Sequence, residues 1–261
     1  MAFMLHSCSR FAAAILGLSL SVQAAVAGVM PSHSRIIYPQ DSPFQSLLLV
    51  NTNHFPVVVQ LWVNEGETDA APERADAPFL PTPAMFKLDP SQLKELKVFN
   101  TQPERLNDHV EQLYWLNILE VPPTPTAKQD EHLVGLAMLT QLKILYRPNR
   151  LKASSEAVLA QLQQLRFTLA QDQGRPTLRI DNPSAYVANI AHLAITQGDQ
   201  TTFSVDTELD KTIRPGAQQT FKLTPVHKPK QPQQGHTLRF ILVNDEGQYV
   251  PYERRLPPIM P

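Results

Sequence analysis

The sequence is poor in cysteine. Its 261 residues hold one, Cys8, which lies at the edge of the first apolar stretch. With no second thiol there is no internal disulfide, so each domain has to hold by its packed core. Glycine is scarce as well. Nine glycines stand against 24 prolines, a composition of stiff turns rather than flexible linkers. No charge of one sign accumulates: 23 Lys and Arg face 24 Asp and Glu, for a formal net charge of −1. That balance, scattered along the chain, excludes the basic face of a nucleic-acid binder. Catalytic signatures are missing too. There is no Gly-x-Ser-x-Gly, no His-Glu-x-x-His and no glycine-rich phosphate loop. The seven histidines after residue 27 are widely separated and show no metal-ligand spacing. No enzymatic activity, metal, cofactor or small-molecule substrate is therefore expected, although a triad assembled only by folding stays open here.

What is present begins with a leader. Arg10 precedes an apolar run from Phe11 to Val22, too short to span a bilayer and ending in small residues. Cleavage fits after Ala24 or after Ala27; the second is preferred and leaves Gly28 as the first mature residue. Residues 1–27 read as a signal peptide, so the protein is exported, yet the mature chain carries no cysteine.

From Ser34 onward, short β-prone runs alternate with turns. Arg35–Pro39, Ser46–Asn51 and Val57–Val63 read as strands, as do the run into Leu88, Leu93–Phe99 and Tyr114–Val121. Asn107–Gln112 reads as a helical turn. The longest apolar stretch, Leu133 to Pro148, organises the first half. At period two, Val134, Leu136, Met138, Thr140, Leu142, Ile144 and Tyr146 share one face. Both faces are apolar in its first part. That pattern fits a strand buried on both sides, or an edge strand whose open side awaits a cover. Pro148 ends it. About seven strands over residues 34–148 is β-sandwich spacing. The polar segment after Pro148 marks the domain boundary, and Ser155 is placed to cap a short helix. Six further β-prone runs follow, the last pairing with Tyr249–Glu253 through the turn Asn244-Asp245-Glu246-Gly247. No helix-period run of length is present and no internal repeat is visible. The expected architecture is all-β: two β-sandwich domains, 28–149 and 150–261.

Five segments, in this order, carry a resemblance. They are Arg35-Ile36-Ile37-Tyr38-Pro39; Leu113-Tyr114-Trp115-Leu116-Asn117-Ile118 with Val121-Pro122-Pro123; Leu142-Lys143-Ile144-Leu145-Tyr146-Arg147-Pro148; Asp181-Asn182-Pro183-Ser184-Ala185-Tyr186; and Asn244-Asp245 before Gly247. Together they resemble the periplasmic pilus chaperones of the chaperone–usher pathway over nearly all of the mature chain. Counted from Gly28, Arg35 is the eighth residue, where that family places its first-strand arginine. The loop Pro122–Asp130 is short, as in the short-loop branch.

The resemblance implies two immunoglobulin-like domains set at an angle with a cleft between them, a periplasmic location, and pilin subunits and an outer-membrane usher as partners. It implies that the stretch before Lys143 is lent to a subunit lacking its last strand, with Val134, Leu136 and Met138 entering the subunit's groove. Burying three such side chains is worth roughly 5–9 kcal/mol before association costs. It implies that Arg35 and Lys143 hold the subunit's C-terminal carboxylate, and that Glu111, Arg147 and Asp245 form an ionic link between the domains. Val110 stands where the family usually has an arginine, which puts the geometry around Glu111 in question. Gly135 weakens strand propensity inside the donor stretch. A free edge of this kind leaves room for self-association of the unbound protein. The competing class, a secreted β-sandwich enzyme or carbohydrate-binding protein, requires acids or a histidine to converge in one pocket.

Overall fold

In a computed structural model of the chain, the described residues are 28–66, 72–123, 136–151, 153–198, 200–205, 210–226 and 236–257. Residues 1–27, Val134 and most of the loop before the organising stretch lie outside them. The first domain is built from β1 (Val29–Pro31), β2 (Arg35–Pro39), β3 (Phe44–Asn51), β4 (Val57–Asn64), β5 (Phe79–Thr82), β6 (Met85–Leu88), β7 (Leu93–Asn100), β8 (Gln112–Val121) and β9 (Met138–Arg147). One sheet has the order β1-β3-β7-β5 and the facing sheet the order β2-β9-β8-β4-β6. The N-terminal strand thus changes sheets between β1 and β2, which brings Arg35 beside β9.

The alternation in the sequence is what closes this sandwich. Ile36 and Tyr38 of β2, Val57 and Val59 of β4, Leu116 and Ile118 of β8 and Ile144 and Tyr146 of β9 all point into one core. Four aromatics knit it. Tyr38 meets Phe79 at 5.0 Å between ring centroids, and Phe79 meets Tyr114 at the same distance. Tyr146 closes the group 6.3 Å from Phe79. Tilted pairs of this sort add about 0.5–1.5 kcal/mol each beyond their buried area, and here they fix β2 alongside β9.

The second domain opens with a short helix, α1 (Ser155–Leu162), which buries Val158 and Leu162. Its strands are β10 (Arg166–Asp172), β11 (Arg175–Asp181), β12 (Ala188–Gln197), β13 (Gln200–Ser204), β14 (Thr212–Ile213), β15 (Gln218–Lys222), β16 (Thr224–Pro225), β17 (His236–Val243) and β18 (Tyr249–Leu256). The sheet β10-β11-β15 packs on the sheet β16-β13-β12-β17-β18, with β14 paired to β12. Its core is separate from the first and centres on Leu178, Ile180, Leu193, Leu238 and Phe240. A third, small cluster of Leu113, Leu145 and Val187 lies where the two domains meet.

Three local expectations shift. Asn107–Gln112 is not helical: the Asn107 side chain accepts from His109 N at 2.6 Å and Val110 N at 3.3 Å as a helix cap would, but Glu111 N, which would close the first helical turn on the Asn107 carbonyl, donates to the Ala185 carbonyl at 2.9 Å instead. The 3₁₀ turn falls earlier, at Pro103–Arg105. The cap of α1 is Ser154, whose hydroxyl accepts from Ala157 N, while Ser155 is the first helical residue. A strand also forms before Ser34, β1, which at three residues is too short to show a period.

The domains share a device that their sequences hide. Asn51, at the end of β3, donates from Nδ2 to the carbonyls of Phe55 and Leu88, both at 2.9 Å. Its Oδ1 accepts from the amide and the side chain of Asn53. Asn182, just past β11, donates to the carbonyls of Tyr186 and Ile213 at 2.7 and 2.9 Å, and accepts from the amide and hydroxyl of Ser184. Each asparagine is almost fully buried and satisfies a turn from inside. Asn51→Ala and Asn182→Ala should each lower stability by about 2–4 kcal/mol, because buried carbonyls and amides lose their partners. Urea unfolding followed by tryptophan fluorescence and circular dichroism measures this; a loss below about 0.5 kcal/mol contradicts it.

Candidate functional site

β9 changes its surroundings halfway along. From Lys143 to Arg147 it is flanked on both sides, by β8 antiparallel and by β2 parallel. From Met138 to Leu142 only β8 pairs with it among the described strands. Both alternatives posed by the sequence therefore hold, one in each half. The C-terminal half is an interior strand and the N-terminal half is an edge, with unpaired backbone groups along one side.

The even-numbered face follows the same division. Leu142, Ile144 and Tyr146 are sealed in the core, whereas Leu136 is 78% exposed and Met138 43% exposed. Leu136 precedes the strand proper, so only Met138 onward of the expected donor stretch is strand. Val134 lies outside the described residues. The Met138 side chain lies against Gly28, at a spot where a Cβ on that glycine would clash. The odd-numbered face looks toward the second domain and carries Lys143, Leu145 and Arg147.

Arg35 and Lys143 occupy one rung. They are direct partners in the parallel β2–β9 ladder, at the point where β2 begins and the open edge of β9 stops. Nε and Nη1 of Arg35 are buried and meet no acceptor among the described residues. Burial pushes this guanidinium below its usual pKa range, with the nearby Asp245 opposing. The side chain lines a cleft of about 520 Å³ that also touches His33, Ile37, Asp245 and Glu246. Lys143 is 19% exposed. Its ammonium lies 5.0 Å from the centre of the Trp115 ring and donates to the Thr212 hydroxyl, with Asp210 Oδ1 at 3.4 Å. Burial lowers its pKa, Asp210 raises it, and Arg35 lowers it further. Two cations thus stand side by side in a partly dry site, and Nε and Nη1 of one of them meet no acceptor among the described residues.

Glu111, Arg147 and Asp245 also converge. Arg147 Nε and Nη2 donate to Glu111 Oε1 at 2.9 and 2.7 Å. Nη1 and Nη2 donate to the two oxygens of Asp245 at 2.6 and 2.9 Å. Burial alone would lower the Arg147 pKa, but Asp245 and Glu111 outweigh it and hold the guanidinium above its ordinary range. The other oxygen of Glu111 accepts from Val187 N at 2.8 Å, across the domain boundary. Val110 leaves this arrangement intact: Glu111 N donates to the Ala185 carbonyl, and the Val110 amide goes to Asn107. Asp245 is delivered by the β17–β18 turn, where Gly247 adopts φ 82° and lies so near Ser34 that a Cβ would collide with it. Ser155 Oγ donates to Glu246 in the same turn at 2.9 Å, which gives the start of α1 a part in the interface.

Several contributors escaped the sequence. Asp210 and Thr212 flank Lys143. Arg214 crosses between the domains to donate to the carbonyls of Leu113 and Glu65 at 3.2 and 2.8 Å. Among the described residues, no three His, Cys, Asp or Glu side chains gather as metal ligands, and no helix is long and apolar enough to cross a membrane.

Two family models match the chain: the N-terminal domain of the pili and flagellar-assembly chaperone PapD over residues 28–152, and its C-terminal domain over residues 160–254. The probable fimbrial chaperone YadV of Escherichia coli K12 is 29% identical over 237 residues, covering 89% of this chain and 92% of the relative. The probable fimbrial chaperone LpfB of E. coli O157:H7 is 34% identical over 181 residues, 68% of this chain and 72% of that one. Among solved structures, the YadV chaperone aligns with a TM-score of 0.68 at 27% identity, covering 87% of this chain and 99% of that one. A Salmonella enterica structure of the SafA pilin in complex with the SafB chaperone aligns with a TM-score of 0.66 at 25% identity, covering 88% of this chain and 97% of that one.

Arg147→Ala would leave Glu111 and Asp245 facing each other in a buried site with no cation between them. The expected cost is about 3–5 kcal/mol. Differential scanning calorimetry should show a lower midpoint and a separation of the two domain transitions; an unchanged thermogram contradicts this.

Proposed function

The chain belongs to the pili and flagellar-assembly chaperone family, both of whose domain models it matches, and from that premise we propose that it binds pilus subunits by lending them a strand. The carrying observation is the position of the Arg35–Lys143 rung at the end of an open strand edge. β2 runs parallel to β9 and starts at Arg35. A guest strand laid along Met138–Leu142 in the same direction occupies the place that β2 leaves vacant. Its C-terminus then arrives at Arg35 and Lys143. Strand addition to an exposed sheet edge is a general recognition mode, and chaperone–pilin pairs are a standing example of it. The SafA pilin–SafB chaperone complex among the structural relatives supports the same reading for this chain.

Each component has a physical task. The backbone groups of the edge bind regardless of the guest's sequence. Leu136 and Met138, with Val134 before them, fill the guest's groove; fully burying each contributes about 1.5–3 kcal/mol. The two cations replace the water lost by a terminal carboxylate, and each charged hydrogen bond adds about 1.5–3 kcal/mol. Fixing the carboxylate also sets the register, since a slip of one residue turns every side chain to the wrong face. The Glu111–Arg147–Asp245 link holds the domains so that Lys143, on the first domain, faces the second. The chaperone works in the periplasm after removal of residues 1–27, turns over no substrate, and delivers its guest to an outer-membrane usher.

Arg35→Ala and Lys143→Ala should each abolish co-purification with a pilin subunit co-expressed in the periplasm, while circular dichroism of the free chaperone stays unchanged. Recovery of the complex from both variants contradicts the anchor. Leu136→Glu should block complex formation with the anchor intact; undiminished binding would place the guest elsewhere.

A further inference from the structure

The two anchor cations are not equivalent in the free protein. Arg35 has buried donors and no acceptor for Nε or Nη1 among the described residues. Lys143 already has company from the second domain. Its ammonium donates to the Thr212 hydroxyl, the same hydroxyl donates to Asp210 Oδ1 at 2.6 Å, and Asp210 Oδ1 lies 3.4 Å from the ammonium itself. Asp210 is held in place from behind, since the Gln219 side chain donates to its carbonyl at 3.2 Å. Thr212 is held by the pairing of β14 with β12. No other carboxylate is paired with Lys143 among the described residues; Glu111 and Asp245 are committed to Arg147.

We propose that Asp210 is a built-in stand-in for the guest's carboxylate, which an incoming subunit terminus must displace from Lys143 before both cations can grip it. The inference rests on the anchoring role proposed above and adds a competitor to it. Lys143 gains a partner in the unbound protein, which offsets part of the cost of holding an ammonium out of water beside Arg35. The same contact weakens capture, because a carboxylate arriving at the rung meets a like charge already there. The arrangement favours a guest that brings other interactions with it, the strand along β9 above all. A bare carboxylate or a free C-terminus without a matching strand gains little. Asp210 thus sets a threshold that a guest has to clear with contacts beyond its carboxylate.

The test uses the whole chaperone and, as probe, a synthetic peptide of a pilin subunit's last strand, prepared as the free acid and as the C-terminal amide. Asp210→Asn should bind the free acid roughly three- to tenfold more tightly than the unaltered chain, with little change for the amide. Thr212→Val should move affinity in the same direction by a smaller factor, and it guards against a local disturbance particular to the asparagine. In parallel, the Lys143 ε-carbon resonance, assigned with Lys143→Ala, should titrate at a lower pH in Asp210→Asn, since the carboxylate that favours the charged form is gone. Unchanged or weaker binding of the free acid in Asp210→Asn, or an unmoved Lys143 titration, overturns the proposal while leaving the anchor standing. If the unaltered chain binds acid and amide equally, the anchor itself fails and the competitor falls with it.

Discussion

The parallel pairing of β2 with β9, and the place where it stops, is the constraint on which the rest depends. Five residues of β2 cover five residues of β9, from the Arg35–Lys143 rung to the Pro39–Arg147 rung. Before the Arg35–Lys143 rung, β9 runs for five residues, Met138–Leu142, with one edge open among the described strands. Were β2 longer, the edge would be sealed and no room would remain for a strand beside Leu136 and Met138. Were it shorter, Arg35 would not stand beside Lys143. The aromatic group of Tyr38, Tyr146, Tyr114 and Phe79 holds β2 in this position, so a core-packing feature sets where the open edge ends.

The second constraint is the orientation of the domains, and it acts through the other face of the same strand. Lys143, Leu145 and Arg147 project alternately from β9 toward the second domain. Leu145 packs on Val187, Arg147 joins Glu111 to Asp245, and Lys143 reaches Thr212. One strand therefore carries the open edge, the proposed anchor and the contacts between the domains. Buried ion pairs bring little net stability compared with apolar packing. Their value here is geometric. An arginine with its donors divided between two carboxylates on different elements admits one arrangement of those elements, and the Ser155–Glu246 contact reinforces the turn that supplies Asp245.

Much of this could be read in the sequence, and the parts that could not share a physical cause. Period-two alternation revealed most strands, because each has one face in a core. The same alternation could not decide whether β9 was interior or edge, since backbone pairing leaves no mark on side-chain polarity; it is interior at Ile144 and edge at Met138. The ordered segments around Arg35, Lys143, Glu111, Arg147 and Asp245 pointed to those five residues, and folding gathers them into two clusters on the inter-domain face. Asp210, Thr212 and Arg214 gave no signal. Each contributes by crossing from one domain to the other, and a lone polar residue in a turn looks alike whether it faces water or a partner domain. The paired roles of Asn51 and Asn182 were hidden for a related reason. The repeat lies in hydrogen-bond geometry carried by a single asparagine, with different residues around it in each domain.

The central claim is that the unpaired edge of β9 becomes paired by a guest. Hydrogen–deuterium exchange of the chaperone with and without a bound pilin subunit addresses it directly, at the backbone amides of residues 138–142. The account predicts that amides on the open side of this segment exchange rapidly in the free protein and slowly in the complex. Exchange along the segment that stays unchanged on subunit binding, with protection appearing on another surface, would contradict it.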